Sequence, residues 1–306
     1  MKAVSVRNIS KCYGKVQALD NLNFDVEQGE IFGLIGPDGA GKTSLFRILT
    51  TLMLADSGTA TVEGLDVVRD YKEIRRIVGY MPGRFSLYQD LTVEENLSFF
   101  ATVFHTTIEE NYHLIEDIYK QIEPFKTRRA GKLSGGMKQK LALSCALIHK
   151  PKVLFLDEPT TGVDPVSRKE FWEMLLKLKR QGISILVSTP YMDEAKLCDR
   201  IALIQEGRFL KIDTPENIVA GYIGTLWAVK ADKMHRLLWD LREYPHMASA
   251  FSFGDTYHVL LSEDGNPDDL KNYLTKSGYS DVEIEQIRPS VEDCFMSMLK
   301  NDKEER

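Results

Sequence analysis

The chain has 306 residues, enough for one large domain or for one domain with an appendage. Charged residues make up 27% and hydrophobic residues 43%, which is ordinary globular usage and excludes a chain that is disordered throughout. The formal net charge of −6 lacks the dominant basic field that non-specific nucleic-acid binding needs. We therefore expect no nucleic-acid partner.

The cysteines and the apolar runs bear on the cellular compartment. Cys12, Cys145, Cys198 and Cys294 are far apart and form no CxxC pair, so we expect reduced thiols and no disulfide framework. No apolar run approaches the roughly 18 residues that span a bilayer, and the N-terminus lacks the apolar core of a signal peptide. We therefore expect a cytoplasmic protein that reaches a membrane only through a partner.

The first two thirds of the chain alternate strand and helix signals. Short alternating runs at 3–31 predict an N-terminal antiparallel β subdomain. The nearly continuous apolar runs at 31–36, 153–157 and 183–189 predict buried parallel strands. Between the last two runs, Asp164 is a predicted N-cap of a helix. This order predicts a doubly wound α/β core.

Two further segments depart from that alternation. Residues 84–132 lack strong strand signals and predict a helical insertion. After residue 221 the order β-α-β-β-α-β predicts a small ferredoxin-like α+β domain, followed by a helix that starts at Ser290 with Asp293 in an approximate capping box. We therefore predict a larger domain over 1–221 and an accessory domain over 222–306.

One glycine-rich segment carries a complete phosphate-binding motif. Residues 36–43 read GPDGAGKT and fit G-x-x-x-x-G-K-[ST] between a predicted strand at 31–35 and a helix predicted at roughly 42–53. Glycines let backbone N–H groups surround a phosphate, and the helix N-terminus adds its positive end. We predict that Lys42 binds the β- and γ-phosphates and that Thr43 binds Mg²⁺. The candidate nucleotide-binding residues here are Gly36, Pro37, Asp38, Gly39, Ala40, Gly41, Lys42, Thr43 and Ser44.

A second motif supplies the carboxylates of a nucleotide site. The apolar run at 153–157 ends in Asp157, and Glu158 follows directly. We predict that Asp157 holds Mg²⁺ through water and that Glu158 polarises the attacking water as a general base. An Asp-Glu pair alone would be a solvated turn, but downstream of a complete P-loop it predicts a site for ATP and Mg²⁺ and, with Glu158, a P-loop ATPase core.

A third motif identifies the branch of P-loop proteins. Ser134, Gly135 and Gly136 open a predicted helix in the run LSGG, where a plain serine N-cap is the alternative interpretation. Between a P-loop and a VLFLDEP strand, this run resembles the signature of ABC ATPases. The resemblance implies a head-to-tail dimer in which the signature of one domain, hence Ser134, Gly135 and Gly136, closes on ATP that the other domain holds.

Other positions extend the resemblance over about residues 2–220. Tyr13, in KCYGKVQAL, matches the aromatic residue that stacks on adenine in this family, and residues 163–164 resemble the D-loop at the dimer interface. The segment IRPSVEDCFMSML at 287–299 resembles the end of drug-export subunits of the daunorubicin-resistance type. These resemblances imply an ATP-binding subunit that powers a type 2 exporter through integral membrane permease subunits, bound to the inner face of the cell membrane.

Two positions depart from the family pattern. Gly83 stands where GYxPQ has the glutamine that contacts Mg²⁺ and the attacking water, and Pro190 stands where VST is followed by the histidine that contacts the γ-phosphate. Proline offers neither a polar side chain nor an N–H. Such groups contribute about 10²–10⁴-fold each to rate. We therefore expect ATP binding with slow hydrolysis, and a heterodimer with a second ABC ATPase chain; a homodimer is the alternative.

Three alternatives stay open at this point. A nearby residue or a water could replace the missing histidine, since Glu158 is retained. The chain could be a non-hydrolysing regulatory ATP-binding partner, which the two departures favour and the intact motifs oppose. It could also be a soluble ABC ATPase that acts on nucleic acid or ribosomes, although its single cassette and its net charge of −6 argue against that class.

Overall fold

The structure is a computed structural model that describes residues 1–304, with side chains described through residue 300. Its contacts divide the chain into one unit that ends at Pro215 and a second that begins at Glu216. The boundary between the units lies at the start of the short helix α7 (Pro215–Ala220), whereas the boundary predicted from the sequence, at residue 221, lies just after the end of that helix. Most of that helix belongs to the second unit, in which the Cys294 thiol lies 3.5 Å from the carbonyl oxygen of Ile218.

The first unit begins with a four-stranded antiparallel sheet in the order β2-β1-β4-β5. Its strands are β1 (Lys2–Tyr13), β2 (Val16–Glu27), β4 (Ser57–Val62) and β5 (Leu65–Asp66). The first two form a hairpin that closes at the pair Tyr13 and Val16. The predicted N-terminal antiparallel β subdomain is therefore confirmed.

A six-stranded sheet in the order β10-β9-β3-β8-β7-β6 forms the centre of the first unit. Its strands are β3 (Ile31–Ile35), β6 (Val78–Met81), β7 (Val153–Asp157), β8 (Ser184–Thr189), β9 (Arg200–Gln205) and β10 (Arg208–Asp213). All pairs are parallel except the one between β9 and β10. Every residue of β3, β7 and β8 is buried, which explains their nearly continuous apolar sequences.

Helices cover this sheet and build the insertion. They are α1 (Lys42–Leu49), α2 (Tyr71–Ile77), α3 (Val93–Val103), α4 (Ile108–Tyr119), α5 (Gly135–Leu147) and α6 (Pro165–Arg180). The Asp164 carboxylate accepts hydrogen bonds from the N–H groups of Val166 and Ser167, which confirms the predicted start of α6. Helix α1 stops before residue 53 because the chain turns at Thr51, whose φ is 63°. None of the helices in residues 1–304 is long and apolar enough to cross a bilayer.

The helical insertion is tied together by local polar contacts. Capping boxes start α3 at Thr92 and α4 at Thr107, where each threonine pairs with a glutamate three residues on. The buried Asn96 side chain donates to the carbonyl oxygen of Tyr88 at 2.9 Å and accepts from the Tyr88 N–H at 3.0 Å. The loop before α3 is therefore attached to the helix by a buried amide.

The second unit has a four-stranded antiparallel sheet in the order β12-β13-β11-β14. Its elements are β11 (Leu226–Lys230), α8 (Met234–Arg242), β12 (Met247–Phe253), β13 (Thr256–Leu261), α9 (Pro267–Lys276), β14 (Glu283–Ile287) and α10 (Val291–Glu304). This confirms the predicted ferredoxin-like order. Ser290 and Asp293 form the expected capping box, and Asp293 also bonds to His258 of β13 at 2.7 Å.

The core of the first unit generates a stability prediction. Phe155 of β7 is fully buried and meets Phe46 of α1 edge to face at 5.7 Å. We expect Phe155→Ala to lower the free energy of unfolding by about 3–5 kcal/mol, because it leaves a cavity between helix and sheet. Thermal unfolding followed by circular dichroism measures the loss. Phe99→Ala is the matched control, since Phe99 is 39% exposed and lies outside this core; equal losses from the two variants would contradict the assignment of the core.

Candidate functional site

The predicted phosphate loop joins the end of β3 to the start of α1. Gly39 and Gly41 have φ values of 80° and 104°, in the left-handed region that favours glycine. A Cβ on Gly41 would lie 2.3 Å from the carbonyl oxygen of Ala18, whereas one on Gly39 would meet nothing within 4 Å. The loop thus combines a tight backbone turn with the N-terminus of a helix, which is the arrangement that binds phosphates.

Lys42 lies inside this loop and is nearly fully buried. Its ammonium donates to the carbonyl oxygens of Gly36 at 2.8 Å and Pro37 at 2.9 Å, and it lies 3.2 Å from Oε1 of Glu158. A buried ammonium needs such partners because leaving it uncompensated is costly. An incoming phosphate can therefore replace Glu158 as the counter-ion of Lys42.

Asp157 connects the phosphate loop to two strands. Its carboxylate is 2% exposed. It accepts from the Thr43 hydroxyl at 2.8 Å and from the Ser188 hydroxyl at 2.6 Å. The parallel register pairs Asp157 directly with Ser188, so the carboxyl ends of β7 and β8 meet here. The hydroxyl and carboxylate oxygens of Thr43 and Asp157 suit Mg²⁺, which prefers one or two protein oxygens together with substrate phosphates.

Glu158 is held beside this cluster by its backbone. Its N–H donates to the hydroxyl of Ser188 at 3.0 Å, and its φ of 49° is uncommon for a residue that is not glycine. Ser188 is a site residue that the motifs did not reveal, because its role depends on the register between β7 and β8. The sequence feature that could have revealed Ser188 is the polar Ser-Thr pair at the end of an otherwise apolar strand.

Tyr13 lies at the end of β1 and is 45% exposed. Its hydroxyl is 3.2 Å from the hydroxyl of Ser44, in the first turn of α1, and donates to the sulfur of Met53 at 2.9 Å. The structure therefore brings the partly exposed Tyr13 to the phosphate loop.

The predicted signature residues form a separate cluster in the same unit. Ser134 caps α5 and accepts from the N–H of Met137 at 3.4 Å. A Cβ on Gly136 would lie 3.0 Å from the Ser167 hydroxyl, and one on Gly135 would lie 3.5 Å from the carbonyl oxygen of Gly162. The signature thus packs against the segment that leads into α6, and the contact of Ser134 stays within its own helix terminus.

The two departures from the family pattern lie near the carboxylates. A Cβ on Gly83 would be 3.0 Å from the carbonyl oxygen of Asp157, so this position adjoins the end of β7. Pro190 follows β8 directly, two residues after Ser188. The next residue, Tyr191, holds its ring against the guanidinium of Arg168 at 4.1 Å. Neither position therefore supplies a polar side chain to the site.

Electrostatics at the edge of the site follow from burial. Burial and the nearby Asp157 carboxylate raise the pKa of Tyr80 to about 12, so its hydroxyl stays protonated. Among the described residues, no cluster of three or more His, Cys, Asp or Glu side chains could hold a metal ion. The parallel sheet, the phosphate loop and the two carboxylates together define a P-loop nucleotide-binding protein.

Comparison with known proteins gives the family. The ABC transporter family profile matches residues 19–161. Daunorubicin resistance ATP-binding protein DrrA2 of Streptomyces coeruleorubidus is 42% identical over 72% of this chain and 70% of that protein. Nod factor export ATP-binding protein I of Mesorhizobium japonicum is 33% identical over 99% of this chain and 88% of that protein. The chain belongs to the ABC transporter family, among its ATP-binding proteins.

A further relative and two solved structures extend the comparison. "Probable multidrug ABC transporter ATP-binding protein YbhF" of Escherichia coli is 38% identical over 92% of this chain and 49% of that protein, so the chain spans about half its length. The structure of cbiO1 from Clostridium perfringens matches 72% of this chain and 91% of that chain, with a TM-score of 0.64 and 26% identity. A dimeric post-hydrolysis cassette with ADP and Pi matches 69% of this chain and 98% of that chain, with a TM-score of 0.63 and 25% identity.

The phosphate loop generates a test with a built-in control. We expect Gly41→Ala to abolish measurable ATP binding, because its Cβ would collide with the Ala18 carbonyl and displace the loop. Gly39→Ala carries only the left-handed strain of about 1–2 kcal/mol and should retain weakened binding. Titration with a fluorescent ATP analogue measures both affinities. Equal losses would show that the close approach at Gly41 is unimportant.

Proposed function

We propose that this chain is the ATP-binding subunit of a membrane exporter and that it works with integral membrane permease subunits at the inner face of the cell membrane. The observation that carries the proposal is the cluster in which Thr43, Asp157 and Glu158 surround the phosphate loop. The names of DrrA2, YbhF and the Nod factor protein concern drug resistance, multidrug transport and export, which supports an export role here.

Each residue of the cluster has a distinct task in this proposal. Lys42 and the loop amides bind the ATP phosphates, and Tyr13 stacks on the adenine. Thr43 and Asp157 hold Mg²⁺, which when bound neutralises phosphate charge. Glu158 accepts a proton from the attacking water, a role that its position beside Lys42 supports.

The signature completes a site on another chain in this proposal. Gly135 and Gly136 lie against Gly162 and Ser167, and the Ser134 hydroxyl accepts from the N–H of Met137 at the start of its own helix. A helix N-terminus of this kind favours an anion such as the phosphates of ATP. We infer a head-to-tail dimer, with a second ABC ATPase chain as the favoured partner.

Hydrolysis at the site of this chain is slow in this proposal. Gly83 and Pro190 provide no polar side chain beside the carboxylates, and the ring of Tyr191 is engaged by Arg168. Losing two positioned groups at about 10²–10⁴-fold each leaves binding largely intact, because Lys42, Thr43 and the loop amides provide the phosphate contacts. ATP at this site then acts mainly to hold the dimer closed.

The permease engages the helical insertion in this proposal. A cavity of about 560 Å³ is lined by the apolar side chains of Met81, Phe100 and Phe104, among others. The ring of His149 stacks on Phe104 at 3.8 Å, and burial lowers the pKa of His149, so the imidazole stays neutral at pH 7. An apolar groove of this kind suits an apolar helix of a membrane subunit.

Steady-state ATPase activity tests the slow site. At saturating Mg-ATP, we expect the wild-type chain to hydrolyse no faster than Glu158→Gln, with ATP binding intact in both. Restoring the family residues in the double variant Gly83→Gln, Pro190→His should raise the rate by at least about tenfold, because it returns two positioned polar groups. The new Cβ at position 83 requires only a small adjustment, since it lies 3.0 Å from a carbonyl oxygen.

The opposite result has an equally clear meaning. Turnover of a few per second by the wild-type chain, abolished by Glu158→Gln, would contradict the slow site and show that another group replaces the missing glutamine and histidine. Failure of the wild-type chain to co-purify with any integral membrane protein would contradict the export role.

The division of labour between two chains gives a separate prediction. In the complex isolated from membranes, Ser134→Arg should reduce total ATPase activity by at least about 100-fold, because the arginine blocks the partner's fully catalytic site. Lys42→Ala should reduce it only a few-fold, because it weakens ATP binding at the slow site, and with it the closed dimer, but leaves the partner's catalytic groups intact. Equal losses from the two variants would favour two equivalent sites, as in a homodimer.

A further inference from the structure

Strand β12 forms an open edge of the sheet in the second unit. A two-residue turn at Gly254 and Asp255 joins it to β13, with Phe253 opposite Thr256. In such a hairpin the residues next to the turn exchange hydrogen bonds, and pairing alternates from there. The backbone N–H and C=O groups of Ala250 and Ser252 therefore point away from β13, where another strand could bind them.

The two edges of this sheet differ in their protection. Natural sheets guard exposed edges with charged residues, proline or bulges. The opposite edge, β14, reads EIEQI and carries two glutamates. Strand β12 reads MASAFSF, with no charge and no proline, and its one register irregularity lies between Met247 and Ser249. Most of the β12 edge is thus open to strand addition.

A groove runs along this open edge. Five consecutive residues of β12, Met247–Phe251, line about 380 Å³ of space together with Arg242 of α8 and with Met296, Leu299 and Lys300 of α10. The Lys300 ammonium donates to the carbonyl oxygen of Ala248 at 2.8 Å, so this carbonyl also points outward. Five extended residues measure ~17 Å, which is the length of a short strand.

The two helices that line the groove, α8 and α10, pack on opposite faces of the sheet. Helix α8 packs on the face that bears Tyr257 and Val259, whereas His258, on the other face, bonds to Asp293 of α10. Strand β12 therefore lies recessed between two helices. A single extended segment fits between these helices more readily than the equally recessed edge of a second copy of the chain.

The charge of the groove indicates what kind of segment would bind there. Among the described residues that line the groove, the two charged ones, Arg242 and Lys300, are cationic. Arg242 is exposed, and no ion pair joins it to any carboxylate in the described part of the chain. We propose that the β12 groove binds an extended, acidic peptide segment of a partner protein by strand addition, with small or β-branched side chains between flanking carboxylates.

A synthetic probe tests this proposal on the full chain. The probe is the capped, fluorescently labelled peptide Asp-Val-Thr-Val-Thr-Val-Asp, whose alternating residues favour the extended conformation. We expect saturable binding by fluorescence anisotropy with Kd below about 1 mM. Hydrogen exchange at Ala250 and Ser252 should slow when the peptide binds. A version that is N-methylated at alternate residues, and so cannot pair with a strand, should not bind.

Two variants with matched controls separate the backbone contribution from the charge contribution. Ser252→Pro removes an outward N–H without breaking the ladder to β13 and should weaken binding about tenfold, whereas Ser252→Ala should not. Arg242→Glu should weaken binding about fivefold and favour a probe with lysines in place of aspartates; Lys271→Glu on α9 is its control.

Several results would overturn the proposal. These are the absence of saturable binding by the wild-type chain, equal binding of the N-methylated probe, and indifference to Ser252→Pro in a variant with unchanged circular dichroism. Concentration-dependent dimerisation that Ser252→Pro abolishes would assign the edge to a second copy and would also refute it.

Discussion

The nucleotide site depends on the buried carboxylate of Asp157. This carboxylate accepts hydrogen bonds from the hydroxyl of Thr43, in the first turn of α1, and from the hydroxyl of Ser188, in β8. Asp157 is itself the last residue of β7. A carboxylate that is 2% exposed is stable only with such partners. The hydrogen bonds of Asp157 therefore fix the phosphate loop relative to two parallel strands, and Glu158 takes its place from the same junction.

In the proposed dimer, the first unit contributes two separate halves of a catalytic arrangement. One half consists of the phosphate loop and its carboxylates; the other consists of the capped terminus of α5 packed against the segment before α6. In the proposed dimer, each half serves a different nucleotide. Loss of polar groups at positions 83 and 190 then weakens only one of the two sites, so the chain can lose catalytic power at its own site and remain necessary for turnover at the other.

The sequence predicted the parts of the fold that local pattern determines. The phosphate loop, the buried strand that ends in Asp157, the Asp164 cap and the Ser290 capping box all depend on residues close together in the chain. The contact between Ser188 and Asp157 depends on strand register, which no local pattern encodes. The pairing of Lys42 with Glu158 likewise requires two loops that lie more than a hundred residues apart in sequence. The end of α1 was misjudged because the left-handed turn at Thr51 has no glycine to announce it.

The buried amide of Asn96 has a mechanical consequence. By holding both backbone groups of Tyr88, it makes the loop before α3 a continuation of the helix. Tyr88 is therefore fixed to α3, and the short segment before it leads back to Gly83, beside the end of β7. Glycine there has the freest backbone of any residue. The freest backbone position of this segment therefore lies between the part that is fixed to α3 and the strand end that carries Asp157.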